Sequence, residues 1–311
     1  MVNQIKEWGG VIISPCCKNN CFFCKPNKKI DKNLLGKEKI NVFRNLIDFK
    51  KKGVKKIDIS GCDPIEYEHI AELIDYIKKL GFTEIQLSTH GRYFSNKVFV
   101  RKIELAGLTK VRIPLYGSKP EIHDMLTGAK GSFKETIRGI RNLSKTKIKI
   151  QISTLITAKN KDDLTQLADL VKGLGITDFY IAVPLLSFRR NRSFYVPLKD
   201  LKPYLEKIYD HSKKTNYDIK FFEIPYCVLG FYDKSINNKT YPPDLGKYCQ
   251  PAKKYKTNIK DIPAYRVKIK TKICKKCLCD DSICDGFLKR DIEKFGIGDL
   301  KPIQNNYKKI D

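Results

Sequence analysis

Apolar residues along this chain fall in short runs that alternate with stretches of helical period. Val11–Ser14, Lys56–Ser60, Glu84–Ser88, Lys110–Leu115, Lys147–Leu155 and Asp178–Val183 read as strands. The intervening segments read as helices. Asn41–Lys52 carries Val42, Leu46 and Phe49 at helical spacing, while Glu66–Leu80 and Ser95–Ala106 are closed by Gly81 and Gly107. Ser132–Ser144 is expected to start with Ser132 as N-cap and Glu135 at the capping-box position. Asp162–Lys172 and a last helix from Pro197 to Lys214 complete the series. Six strand–helix units in regular alternation imply a parallel sheet.

The two faces of these strands differ. Ile57/Ile59, Ile85/Leu87, Val111/Ile113 and Ile148/Ile150/Ile152 form one apolar face each, opposite Asp58/Ser60, Gln86/Ser88, Arg112 and Lys149/Gln151/Ser153. A strand buried between two helical layers is normally apolar on both faces. One face here is expected to meet the helices and the other to line a polar lumen. The expected fold is α/β, a partial (β/α)6 TIM barrel over residues 1–216. A small, irregular domain follows over 217–311, where the alternation ends and residues 233–263 become rich in Asn, Lys, Tyr, Pro and Asp.

Composition adds three constraints. Hydrophobic residues at 41% and charged residues at 31% fit a packed core in a chain of 311 residues. No run of 18 apolar residues exists, so no membrane partner is expected, and the first residues lack the basic-then-apolar order of a secretory signal. A cytoplasmic location is the expectation. The formal net charge of +27 favours anionic partners, although a general preference for Lys gives the same number and no basic block stands out.

The eleven cysteines are clustered: Cys16, Cys17, Cys21 and Cys24 near one end, Cys274, Cys277, Cys279 and Cys284 near the other, with Cys62, Cys227 and Cys249 between. An odd number without a secretory signal argues against a disulfide framework, and clustered thiols in a reducing compartment point to metal. Cys17-Lys-Asn-Asn-Cys21-Phe-Phe-Cys24 is a C-x3-C-x2-C loop directly after the first strand. Three thiolates from one short loop suit a [4Fe–4S] cube with one iron left open; zinc, with Cys16 or a distant residue as fourth ligand, is the rival.

This loop, in this position, resembles the radical S-adenosylmethionine (radical SAM) superfamily, and the resemblance covers about residues 10–215. It implies that Cys17, Cys21 and Cys24 hold the SAM-binding [4Fe–4S] cluster and that Phe23 lies near the adenine. Ser60-Gly61-Cys62-Asp63-Pro64 sits where the family has Gly-Gly-Glu-Pro, so Gly61, Cys62 and Asp63 are expected at the methionine amino group, with Cys62 and Asp63 departing from the pattern. Leu87–Gly91 and Ile113–Gly117 resemble the turns after the third and fourth strands, with Pro114 in place of a serine. Gln151 and Ser153, near the end of the fifth strand, are the candidates for the ribose and carboxylate of SAM, against the alternative of plain strand polarity. Arg189, Arg190 and Arg192 fall at the substrate mouth. His90 and His123 read as turn and capping residues, and Tyr195 and Tyr226 as packing residues rather than hydrogen donors.

Cys274-Lys-Lys-Cys277-Leu-Cys279-Asp-Asp-Ser-Ile-Cys284 resembles the auxiliary iron–sulfur regions, SPASM or twitch, that follow many radical SAM barrels, with a spacing one residue longer. An auxiliary [4Fe–4S] cluster on Cys274, Cys277 and Cys284 needs a fourth ligand. Cys227 is preferred over Cys249 and Cys279, and zinc is again the rival. The resemblance implies an enzyme that reductively cleaves SAM to a 5′-deoxyadenosyl radical and removes a hydrogen atom from its substrate. That substrate is expected to be a peptide or other anionic molecule, with a nucleoside, RNA or cofactor precursor as alternative, and an electron donor of flavodoxin or ferredoxin type is implied. A non-catalytic zinc or iron–sulfur protein that binds nucleic acid is the alternative of a different class, and the polar strand faces speak against it.

Overall fold

The computed structural model describes residues 7–13, 16–24, 32–184, 192–222, 224–230, 268–279, 284 and 286–303, without the side chains of 32–40 and 192. Strands β1 (Trp8–Ile13), β2 (Lys56–Gly61), β3 (Glu84–Ser88), β4 (Lys110–Pro114), β5 (Lys149–Leu155), β6 (Asp178–Ala182) and β7 (Ile219–Phe222) form one seven-stranded sheet in sequence order. Every pairing is parallel, as in Ile57↔Ile85, Val111↔Ile150 and Phe179↔Ile219. The sheet is not closed: β1 and β7 are its two edges.

Parallel neighbours need a crossover, and helices supply it. They are α1 (Lys32–Lys51), α2 (Ile70–Lys79), α3 (Lys97–Ala106), α4 (Pro120–Thr127), α5 (Ser132–Leu143), α6 (Leu164–Gly173) and α7 (Lys202–Lys214). Alternate strand residues Ile57, Ile59, Leu87, Ile113, Ile152 and Ile181 are fully buried in one core with Leu46, Ile74, Ile103, Ile140 and Leu167 of the helices. The polar strand face is as the alternation foretold. Gln86 Nε2 donates to Asp58 Oδ1 at 2.8 Å, Ser88 Oγ reaches the same oxygen at 3.3 Å, and Arg112 Nε donates to Gln151 Oε1 at 3.1 Å. Register lays this belt across the sheet, with Asp58 beside Gln86 and Arg112 beside Gln151.

Three local expectations are corrected. The sheet has a seventh strand: Ile219-Lys-Phe-Phe222 pairs with β6, so the parallel sheet runs past residue 216. Two helices, not one, join β4 to β5. And Ser132 is the first residue of α5 rather than its cap. Asp124 of α4 caps instead, its carboxylate accepting from Phe133 N at 2.7 Å, Gly131 N at 2.6 Å and Ser132 Oγ at 2.9 Å, while Glu135 pairs with Arg92.

After β7 comes the single turn α8 (Tyr226–Leu229), and further on a small antiparallel pair, β8 (Lys268–Ile269) with β9 (Phe287–Leu288), and helix α9 (Lys289–Phe295). Phe287, Leu288, Leu300 and Ile303 share the barrel's own apolar core, together with Ile224 and Val228.

Candidate active site

Parallel strands point one way, and the turns singled out in the first half of the sequence follow strand C-terminal ends. The cysteine loop follows β1, the Gly61–Pro64 turn β2, the His90 turn β3 and Tyr116 β4. Gly61 has φ +147°, and a Cβ there would lie 1.9 Å from the Ile13 carbonyl oxygen. Only glycine lets β2 end this close to β1, where the cysteine loop begins.

The loop is fixed from several sides. Asn20 N donates to Thr127 O at 2.8 Å and Phe22 N to Leu126 O at 3.3 Å, both at the end of α4. Lys18 N donates to Glu66 Oε1 at 3.1 Å, and Asn19 Oδ1 accepts from Arg92 Nη1 at 2.8 Å. The Cys16 carbonyl accepts from Asp63 N, and Cys24 N closes a turn onto Cys21 O, each at 3.1 Å. Phe23 is buried with Tyr116, Leu126 and Phe194; its ring meets Tyr116 edge-on at 4.8 Å.

Burial pushes the Cys17 and Cys21 thiols up to about 12. Negative charge on Asp63 and Cys24 contributes to the rise at both, and Cys17 contributes at Cys21. Three thiols this crowded repel one another as thiolates, and a cationic iron centre removes that repulsion. The donor set therefore fits the cluster.

Asp63 lies beside the loop and is 1% exposed. Its carboxylate accepts from Ile65 N at 3.1 Å and from His90 N at 2.7 Å, and burial pushes its pKa up. His90 Nδ1 accepts from Arg92 N at 3.1 Å, which leaves the ring proton on Nε2, 3.3 Å from both Asp63 Oδ2 and Glu66 Oε1. Glu66 Oε2 accepts from Tyr93 OH at 2.9 Å. Burial raises Glu66, but the bonds from His90, Tyr93 and Lys18 N outweigh it and hold the carboxyl below its usual range. A Cys17 sulfur, an Asp63 oxygen and a His90 nitrogen lie within 4.8 Å of one another. His90 thus closes its turn through Nδ1, as expected, and also meets Asp63 and Glu66 through Nε2; sequence reasoning missed Glu66 altogether, because an acid three positions after Asp63 carried no signal of its own.

Gly61 is exposed and Cys62 half-buried beside the loop. Gln151 is buried with its oxygen on Arg112, and Ser153, half-buried near the strand end, accepts from Leu115 N through its carbonyl at 2.9 Å. His123 is buried and accepts from Tyr116 N through Nδ1 at 3.1 Å; burial lowers its pKa to about 4. Arg189, Arg190, Cys249 and the Arg192 side chain lie outside the described residues.

A second group of thiols gathers in the C-terminal region. Cys227 stands on α8, Cys274 in the turn Lys272–Lys276, Cys277 and Cys279 just after it, and Cys284 before β9. The Cys227 thiol is raised by burial and then by Cys284, Cys277 and Cys274, so these four lie within electrostatic reach. Cys274 Sγ accepts from Thr271 N and Cys284 Sγ from Gly286 N, each at 3.4 Å. Cys279, buried, is pushed up to about 12 by burial and by Cys277 and Cys284.

A family model described as the radical SAM superfamily matches residues 11–171, which hold the end of β1, the cysteine loop and strands β2 to β5. The chain belongs to the radical SAM superfamily. A probable GTP 3′,8-cyclase of Saccharolobus solfataricus is 23% identical over 206 residues, 64% of each chain. One of Methanococcus aeolicus is 26% identical over 286 residues, 90% of this chain and 83% of its own. The chain thus spans 64% of the length of the first of these relatives. Among solved structures, Streptococcus suis SuiB bound to precursor peptide SuiA superposes with a TM-score of 0.55 at 19% identity, covering 70% of this chain and 49% of that one. This radical SAM enzyme therefore has the superfamily's open α/β barrel, and its cofactors are a [4Fe–4S] cluster and SAM. Among the described residues no helix is long and apolar enough to cross a membrane.

Proposed function

We propose that this radical SAM enzyme carries a second, C-terminal [4Fe–4S] cluster and modifies a peptide. The observation that carries the reading is the gathering of Cys227 with Cys274, Cys277 and Cys284 against the barrel, remote in sequence from the first cysteine loop. Those four thiols would hold all four irons of a cube and leave none open for SAM, so such a cluster would serve the fold, substrate binding or electron transfer.

Bound at Cys17, Cys21 and Cys24, the first cluster and SAM supply the one-electron chemistry that removes a hydrogen atom from substrate. The chain's own residues set the geometry. The Asp63–His90–Glu66 network holds the loop's first half through Lys18 and Cys16. Phe23, buried edge-on against Tyr116, anchors its second half to the turn after β4. Gly61, Cys62 and Asp63 offer the methionine end of SAM a close backbone approach. Gln151 and Ser153 face the lumen where ribose and carboxylate are proposed to lie. A flavodoxin or ferredoxin is the proposed donor.

SuiB, similar in fold, binds a precursor peptide, which supports the peptide reading. A purine nucleotide is the second reading: two relatives are probable GTP 3′,8-cyclases, and the +27 charge suits a polyanion. The test is anaerobic incubation with SAM and dithionite, with GTP in one arm and a short peptide encoded beside the gene in the other. A peptide changed in mass, with 5′-deoxyadenosine released, supports the first reading; GTP consumed instead overturns it.

A further inference from the structure

We infer that Phe194 and Tyr195 are positioning residues through which helix α9 holds the cysteine loop in place. The inference rests on Cys17, Cys21 and Cys24 as the ligands of the SAM-binding cluster.

The two residues follow β6 and face opposite partners. The Phe194 ring stacks on Phe22 with centroids 4.9 Å apart and planes at 12°. Phe22 is one of the two residues between Cys21 and Cys24, so its ring position is tied to both ligands. Phe23, its neighbour, packs on Tyr116. The C-x2-C half of the loop is therefore gripped from two sides, by the β4 turn through Phe23 and by the β6 segment through Phe22.

Tyr195 faces the C-terminal region. Its ring stacks on Phe295 at 5.7 Å and 12°, and its hydroxyl donates to Asp291 Oδ1 at 2.5 Å. Asp291 and Phe295 are four apart on α9 and so present one face to the tyrosine. Asp291 is 0% exposed, an unusual place for a carboxylate unless a partner requires it there. The Phe194 carbonyl accepts from Ala158 N at 2.9 Å, which pins the bridge to the barrel between its two rings. The Lys289–Phe295 helix follows β9 directly, in the same segment as Cys284. Contacts thus run without a break from that segment to the loop: Asp291, Tyr195, Phe194, Phe22.

A packing role alone would cost stability and leave the cysteine loop unchanged. A positioning role moves the loop. The test uses the full chain, anaerobically reconstituted, with Tyr195→Phe, which keeps the ring and deletes the hydroxyl. Expected are faster amide exchange across residues 18–24, where Asn20 and Phe22 N–H groups are otherwise bonded, and SAM Kd raised roughly two- to tenfold. Iron content stays unchanged. A double-mutant cycle with Phe22→Leu on SAM Kd adds a readout that structure alone does not move: coupled residues give less than the product of the single effects.

Unchanged exchange and SAM affinity in Tyr195→Phe, or a cycle whose effects simply multiply, overturns the inference. Phe194→Leu repeats the exchange measurement from the other side of the bridge. Wild-type protein that fails to bind SAM would refute the ligand assignment instead, and the exchange arm, which needs no SAM, still decides the bridge.

Discussion

Two glycines on either side of the α4–α5 turn separate backbone strain from damage to the cysteine loop. Gly128 has φ +61° and Gly131 φ +82°, both in the left-handed region. Alanine in that region costs about 1–2 kcal/mol at either position. The surroundings differ. A Cβ on Gly131 meets nothing within 4 Å, whereas one on Gly128 would lie 2.6 Å from the Asn20 carbonyl oxygen. The loop must then shift, and the bond from Asn20 N to Thr127 O is lost, at a further cost of about 1 kcal/mol. Gly131→Ala is expected to lower unfolding free energy by about 1–2 kcal/mol and Gly128→Ala by roughly 2–3 kcal/mol. Urea denaturation of anaerobic protein measures both. SAM affinity and the SAM-induced change in the electron paramagnetic resonance signal of the reduced cluster should be impaired in Gly128→Ala alone. Equal SAM binding in the two variants would refute the claim that α4 sets the position of the loop.

Reconstituted protein should hold about eight iron per chain. Changing Cys17, Cys21 and Cys24 together to Ala should remove about half of it and abolish 5′-deoxyadenosine release, by iron assay and chromatography; persistent release would exclude this loop. Cys227→Ala should lower iron more than Cys249→Ala, since Cys227 lies with Cys274, Cys277 and Cys284, and the reverse order would make Cys249 the fourth ligand. His123 has a folded pKa of about 4, below the unfolded 6.5, so the unfolded chain binds the extra proton between these values. Stability is therefore fully present above about pH 6.5 and falls on acidification toward pH 4, by roughly 3 kcal/mol from this group. Thermal unfolding of His123→Gln against wild type should show a shallower acid slope, and identical slopes would count against the buried neutral ring.

Much of the arrangement was legible because it is local or periodic. Alternation along single strands separated Ile57 and Ile59 from Asp58, and the pairing of Arg112 with Gln151 follows once the strands are parallel. The C-x3-C-x2-C loop carries its three candidate ligands within eight residues. What escaped depends on contacts between distant segments. Asp124 caps α5 from within the preceding helix, where no local capping rule looks. His90, Glu66 and Tyr93 become one network only when the β2 and β3 turns come side by side. Ile219–Phe222 is only four residues long, too short for its alternation to announce a strand, and is fixed by pairing with β6.

Strand order has a consequence for assembly. Each strand pairs with the one before it in the chain, so the sheet can grow unit by unit, with a moderate loop-closure cost at each step. The cysteine loop gains its supports in the same sequence: the β1–β2 junction, then Arg92, then Leu126 and Thr127, then Phe194, and last α9. During synthesis the nascent chain would hold its first thiols near the growing sheet long before the last brace arrives. The support that the C-terminal segment gives through Tyr195 is therefore the last one available to the loop.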